Sequence, residues 1–195
     1  MYLAAFYGGL ALFFGAHFFS AFRSRDERGL AQRMGRGPYM GLYSLVSLVG
    51  FVGLAWGFSE MRPWQPLWSP EAYPWTRHVA MTLMLPAILL IVAAYVPTGY
   101  IKNAVGHPML AAVALWALAH LAANGDLGSV VLFGSFLTFA VVDRIVVARR
   151  GDRGAAAVTP NILGDLIAVA VGGALYAALV YYLHPLLFGA PVILS

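Results

Sequence analysis

The sequence predicts an all-α fold: a polytopic membrane helix bundle with about six transmembrane helices. Of its 195 residues, 61% are hydrophobic and only 10% are charged, whereas soluble domains are roughly 45–50% apolar and about 25% charged. This composition excludes a soluble globular domain, a disordered chain and a nucleic-acid-binding module. Because one span needs about 20 residues, the length allows roughly five to seven spans.

Six apolar stretches are separated by glycine, proline and charged residues, and together they predict a single transmembrane domain over residues 1–195. They cover residues 2–22, 39–59, 76–96, 107–123, 127–147 and 163–188. The first stretch lacks the basic start of a cleavable signal peptide, so we expect it to be retained. Pro108 suits the first turn of the fourth helix. Asp126 is expected to cap the N-terminus of the fifth helix.

The distribution of basic residues predicts the orientation. The first and third loops hold five and one of the 12 lysines and arginines, and four more, Arg144, Arg149, Arg150 and Arg153, lie at the end of the fifth stretch and in the fifth loop. Cytoplasmic loops carry an excess of lysine and arginine. We therefore expect both termini outside and the odd-numbered loops in the cytoplasm.

Small residues at a spacing of four predict close helix packing. Gly53 and Gly57 form one such pair, and Gly164, Ala168 and Gly172 form a longer series. Residues without bulk at this spacing let two helix backbones approach closely. We therefore expect both sets to lie at helix contacts.

The second loop is rich in tryptophan and proline. Trp64, Trp68, Tyr73 and Trp75 lie among four prolines, and aromatic residues of this kind are enriched where a membrane meets water. The pattern favours an interfacial cap at the headgroup level. A lid over a site open to the outside is the alternative interpretation.

Five histidines are the candidate metal-binding or haem-binding residues of this chain. They are His17, His78, His107, His120 and His184. The chain has no cysteine, so a metal ion or haem iron would be held by imidazole. Intramembrane ionisable residues are costly and mark functional sites. His17 and His120 have apolar neighbours on both sides, whereas interfacial or capping roles compete for the other three.

Helix geometry limits which histidines cooperate. His107 and His120 are 13 residues apart on one helix, about 20 Å at 1.5 Å per residue, so they do not bind one iron. Trp116 and Asn124 lie one turn to either side of His120. We expect Trp116 to be a flat aromatic neighbour of the ring and Asn124 to be an amide partner for its second nitrogen.

Several longer motifs carry a resemblance to a known family. They are Gly15-Ala16-His17, the run from Arg36 to Ser44, the run from Pro97 to Lys102, Gly106-His107-Pro108-Met109-Leu110, and the run from Trp116 to Asp126. Together they resemble the NnrU family of bacterial membrane proteins over nearly the whole chain. That family is named for an association with nitrite and nitric oxide reduction in denitrifying bacteria. It is related to the plant ζ-carotene isomerase, a haem b protein of plastid membranes.

The resemblance implies a haem b site. It implies haem ligation at His17 and His120, which match the ligand histidines of the isomerase, and we count His107, Trp116 and Asn124 among the cofactor-binding residues. By depth in the membrane, His78 or His184 is the alternative partner of His120, and His107 is the alternative partner of His17. The isomerase has a cysteine three residues before its second ligand, where this chain has Ala117.

Three functions follow as hypotheses. The first is a haem b protein of the bacterial inner membrane, linked to denitrification through nitrite and nitric oxide reduction. The second is a haem-dependent cis-trans isomerase of a lipid-soluble polyene, which leaves open whether the protein is an enzyme. The third is a non-catalytic membrane assembly or scaffold protein. Expected partners are membrane lipid, a hydrophobic small-molecule substrate for the isomerase, and a second copy of the chain or a respiratory complex.

Overall fold

The structure is a computed structural model that describes residues 1–23, 29–61, 66–69 and 73–193. The chain is 82% helical, and the described residues form no strand beyond an isolated antiparallel bridge between Pro66 and Asp126. The predicted all-α class is therefore confirmed. The physical reason is that a helix satisfies its backbone polar groups within its own segment, as hydrocarbon requires.

The described residues contain nine α-helices. They are α1 (Tyr2–Phe22), α2 (Leu30–Met34), α3 (Arg36–Met61), α4 (Trp75–Tyr95), α5 (Tyr100–Val105), α6 (Pro108–Ala123), α7 (Leu127–Arg149), α8 (Ile162–Ala178) and α9 (His184–Phe188). A 3₁₀ turn, Gly154–Ala157, follows α7, and a π turn, Leu179–Leu183, joins α8 to α9.

Five segments of the described chain are long and apolar enough to cross a membrane. They are the segments that begin with α1, α3, α4, α7 and α8. The remaining predicted span is α6, which has 16 residues and is therefore about 24 Å long. This is shorter than the roughly 30 Å hydrocarbon core of a bilayer. The orientation with both termini outside stays a prediction.

Proline lies at the two helix boundaries that differ most from the sequence prediction. α3 begins at Arg36 and not at Tyr39, because Pro38 falls in its first turn, where no intrahelical bond needs its missing N–H. The last predicted helix is divided by the π turn before α9. Pro185 is the cause we assign, since it donates no hydrogen bond to Tyr181 and crowds that carbonyl in a regular helix.

The chain divides into two compact units. The first comprises Met1–Leu67 and Asp126–Ser135, and the second comprises Trp68–Gly125 and Phe136–Ser195. Helix α7 therefore contributes its first residues to one unit and the rest to the other. The single domain expected over the whole chain stays a prediction.

In the first unit, α1 and α3 pack with their backbones in close approach. A Cβ atom at Gly9 would overlap the backbone of Leu54, and one at Gly57 would lie 2.5 Å from the amide nitrogen of Phe6. At Gly53 a Cβ atom would lie 3.2 Å from a carbonyl oxygen of α1. The prediction that Gly53 and Gly57 lie at a helix contact is confirmed.

In the second unit, α4 packs against α6 and α8. Gly164, Ala168 and Gly172 are all buried on α8, and a Cβ atom at Gly172 would press on α4. This confirms that the predicted series of small residues lies at a helix contact. The hydroxyl of Tyr176 also donates a hydrogen bond of 3.1 Å to the carbonyl oxygen of Met81 and so joins α8 to α4.

Candidate functional site

The ring of His120 is oriented by the backbone of its own helix. Its Nδ1 atom lies 2.8 Å from the carbonyl oxygen of Trp116, and the two rings have centroids 5.0 Å apart. The predicted aromatic neighbour is therefore confirmed. The prediction for Asn124 is wrong, because its amide donates to the backbone oxygen of His120, at 2.8 Å, and not to the ring. Asn124 is the C-cap of α6, and its backbone N–H donates to the same oxygen at 2.9 Å, so the side chain is a second donor to this carbonyl at the helix end.

His184 is the histidine whose ring lies beside that of His120. The two ring centroids are 6.5 Å apart, with an angle of 32° between the ring planes. Metal–imidazole bonds of about 2.0–2.1 Å place the centroids of two imidazoles on one metal ion roughly 5 Å apart at a tetrahedral angle and roughly 6.4 Å apart on opposite sides of the ion. Both residues belong to the second unit. The structure thus brings together one of the alternative pairs that depth in the membrane suggested.

His17 lies in the first unit and is oriented in the same manner as His120. Its Nδ1 atom is 2.7 Å from the carbonyl oxygen of Phe13, and its ring stacks on the Phe13 ring with centroids 4.1 Å apart. The ring of Tyr43, on α3, lies 5.3 Å away. Because His17 and His120 lie in different units, the pair that the resemblance implies stays a prediction.

Three histidines share one tautomer as a consequence of these contacts. A carbonyl oxygen only accepts a hydrogen bond, so His17, His120 and His184 donate through Nδ1; for His184 the acceptor is Ala190, at 2.7 Å. In a neutral imidazole the lone pair then lies on Nε2. Metal-ligating histidines usually donate their other ring nitrogen in this manner, which fixes the ring and raises its basicity.

The remaining two histidines are arranged differently. The Nε2 atom of His107 lies 3.0 Å from the carbonyl oxygen of Asp152, so His107 ties the start of α6 to the segment after α7. His107 is the N-cap residue of α6, but its side chain makes no capping hydrogen bond. His78 is exposed on the first turns of α4. These contacts favour structural or interfacial roles for both.

A group of polar side chains near His17 was not singled out by the sequence analysis. The guanidinium carbon of Arg23 lies 4.8 Å from the centre of the Tyr39 ring. The hydroxyls of Tyr39 and Ser47 are buried and have no hydrogen-bond partner among the described residues. A buried hydroxyl left in this state costs about 1–3 kcal/mol. The spacing of four between Tyr39, Tyr43 and Ser47 was the available signal, since it places them on one helix face.

Part of the aromatic second loop lines a cavity of about 310 Å³ in the second unit. The lining residues are Trp68, Tyr73, Trp75, Thr76 and Ala122. Ala122 lies two residues after His120 on α6. The backbone N–H of Trp68 donates to the carbonyl oxygen of Gly125, at 3.2 Å, which holds this part of the loop against the turn after α6. Trp64 lies outside the described residues.

The donor set limits what these histidines can hold. Within the described residues, no group of three or more histidine, aspartate or glutamate side chains is placed to bind a metal ion. A metal ion bound by protein side chains alone usually needs about four ligands. Haem iron needs only one or two, because the porphyrin supplies the others. Paired or single histidines with an Nε2 lone pair therefore fit haem better than a bare ion.

Comparison with known proteins places the chain in a family. The family model described as NnrU protein matches residues 5–192. The chain belongs to the NnrU family. The NnrU match includes all five histidines and nearly the full length of both units. No curated protein and no solved structure matches the chain.

One of the motifs that resemble NnrU proteins is explained by packing in this structure. The carboxylate of Asp165 on α8 accepts backbone N–H groups from Tyr100 and Ile101, at 2.8 and 3.0 Å. A Cβ atom at Gly99 would overlap that carboxylate, and one at Gly164 would overlap a carbonyl oxygen just before α5. An anion at the N-terminus of a helix also interacts favourably with the helix dipole. The motif from Pro97 to Lys102 therefore holds α5 against α8.

Proposed function

We propose that this NnrU-family protein is a multi-pass haem b protein of the bacterial inner membrane that serves nitrogen-oxide respiration. His120 is the residue that would hold the haem, because both the resemblance and the local geometry point to it. The observation that carries the proposal is the arrangement of the His120 ring. The ring lies beside that of His184, its Nδ1 donates to a backbone carbonyl oxygen, and its lone pair therefore lies on Nε2. When bound, the haem would supply electron transfer or a site for a diatomic gas.

Two histidines are candidates for the second axial ligand. His17 is the ligand that the resemblance implies, and it has the same Nδ1 contact as His120. His184 is favoured by its ring centroid, 6.5 Å from that of His120 within one unit. The role in denitrification rests on the resemblance and on family membership.

An absorption spectrum of the detergent-purified full-length protein, oxidised and then reduced, tests the proposal. We expect a Soret band that shifts on reduction. The variant His120→Ala should lose it or change it to the band of a haem held by one histidine, because a ligating nitrogen is removed. His78→Ala is the matched control and should keep the wild-type band, since His78 is an exposed histidine of the same unit. A colourless wild-type preparation, even after haem supplementation, would contradict the proposal.

The second ligand is identified by comparing His17→Ala with His184→Ala. Loss of one of two axial imidazoles should change a six-coordinate spectrum to a five-coordinate one, whereas the other variant should keep the wild-type spectrum.

Addition of nitric oxide to the reduced protein tests the proposed link to nitrogen oxides. A reduced spectrum that nitric oxide leaves unchanged would argue against gas chemistry at this site.

A haem-dependent isomerase of a lipid-soluble polyene is the second candidate function. It is favoured by the apolar, aromatic cavity of about 310 Å³ in the same unit as His120. Turnover of a polyene under reducing conditions would support it. Retention of haem without turnover of several polyenes would leave the first function as the better one.

A further inference from the structure

A second cavity of the second unit lies where α4 ends and α6 begins. It has a volume of about 230 Å³, and its lining includes Lys102, His107, Pro108, Met109, Leu110 and Ala155. The ends of membrane-spanning helices lie near the lipid headgroups. This cavity therefore combines a cation with an apolar wall at the depth where headgroup and acyl chain meet.

Lys102 is the charged residue among those that line the cavity, and only two of the three N–H donors of its ammonium group have an acceptor in the described part of the chain. Its Nζ atom donates to the carbonyl oxygens of Ala94 and Val96, both at 2.9 Å. An ammonium group has three N–H donors, so these contacts leave one. No carboxylate among the described residues lies within 4.0 Å of Nζ. The positive charge is thus held in place by neutral oxygens and is not neutralised by an acid.

The other polar groups around the cavity are already fixed. His107 donates through Nε2 to the carbonyl oxygen of Asp152, at 3.0 Å. The carboxylate of Asp152 accepts the backbone N–H of Gly154, at 2.8 Å, and lies 4.0 Å from Nε2 of His107. Asp152 is not a lining residue. Lys102 is therefore the group that decides the charge preference of this cavity.

We propose that this cavity binds the phosphate group of an anionic membrane lipid, with Lys102 as its cationic contact. The residues Pro108, Met109 and Leu110 form the apolar wall along which the first part of an acyl chain packs. Basic pockets between membrane helices bind anionic headgroups in this manner. This site uses none of His17, His120 and His184, the histidines proposed to ligate haem.

Binding of phosphatidylglycerol to the full-length protein in detergent, followed by native mass spectrometry, tests the proposal. Lys102→Gln removes the charge and keeps an amide donor, and we expect roughly tenfold weaker binding, as for loss of one charged hydrogen bond. Ala155→Phe fills the cavity without changing any charge and should weaken binding at least as much. Ala157→Phe is the matched control, because Ala157 lies in the same 3₁₀ turn, is exposed and does not line the cavity.

The outcomes separate the sources of phosphate. Wild-type affinity for phosphatidylglycerol in both Lys102→Gln and Ala155→Phe would overturn the proposal. Equal binding of phosphatidylcholine, which has no net charge, would overturn the role of Lys102. Binding of inorganic phosphate as tightly as phosphatidylglycerol would show that the site recognises phosphate alone and would overturn the proposal of a lipid. If Lys102→Gln fails to fold, the comparison of Ala155→Phe with Ala157→Phe decides the matter.

Discussion

A hydrogen bond from Nδ1 to a backbone carbonyl distinguishes three of the histidines from the other two. A buried imidazole N–H without an acceptor is costly in apolar surroundings. In His17 and His120, Nδ1 donates to the carbonyl oxygen four residues earlier and so has an acceptor. His184 is followed by Pro185 and uses the carbonyl of Ala190 instead. The same contact that satisfies the donor leaves the lone pair on Nε2, the atom through which these residues would bind the proposed haem.

Two serines in membrane helices provide a test at the residue scale. The hydroxyl of Ser47 has no hydrogen-bond partner among the described residues, whereas that of Ser135 donates to Val131, at 2.7 Å. We expect Ser47→Ala to raise the free energy of unfolding by about 1 kcal/mol and Ser135→Ala to lower it by about 0.5–1.5 kcal/mol. Thermal unfolding in detergent measures both. Equal destabilisation by the two substitutions would show that Ser47 has a partner.

The pairing of helices depends on where glycine replaces a side chain. On α1, Gly9 faces the backbone of α3, while its neighbour Gly8 has no atom within 4 Å of an added Cβ. The sequence predicted the contact on the α3 side, at Gly53 and Gly57, from their spacing. It did not distinguish Gly9 from Gly8, because adjacent glycines look alike until the rotation of the helix is known.

These two adjacent glycines provide a test at the scale of the helix pair. We expect Gly9→Ala to destabilise the protein by about 1–3 kcal/mol, since the added methyl group forces the backbones apart. Gly8→Ala should be neutral or slightly stabilising, because alanine has the higher helix propensity. Unfolding in a detergent titration measures the difference. Equal effects of the two substitutions would contradict the close approach of α1 and α3.

At the scale of the whole molecule, the unequal distribution of charge predicts one orientation. Basic residues concentrate in the first, third and fifth loops, and this excess marks the cytoplasmic side. The third of these loops connects the end of α4 to the start of α6 and contains Lys102. The proposed lipid site is therefore expected in the cytoplasmic leaflet.

The orientation can be tested with single cysteines, because the chain contains none of its own. We expect Ile193→Cys to react with a membrane-impermeant maleimide in cells whose inner membrane is intact. Ala157→Cys should react only after that membrane is permeabilised. The cysteine-free wild type is the blank. The reverse pattern of labelling would contradict the predicted orientation.

The sequence alone predicted that the protein lies in a membrane, where its helical stretches fall, and that imidazole would be the metal ligand. These properties depend on residue type and local spacing. The tertiary structure decided which ring lies beside which. His120 and His184 are 64 positions apart, and their contact depends on helix packing and on the π turn before α9. The sequence assigned Asn124 to the ring of His120 by spacing, whereas the carbonyl of Trp116 is the partner. Spacing gives the face of a helix, but side-chain torsion and the packing of neighbouring helices determine the contact.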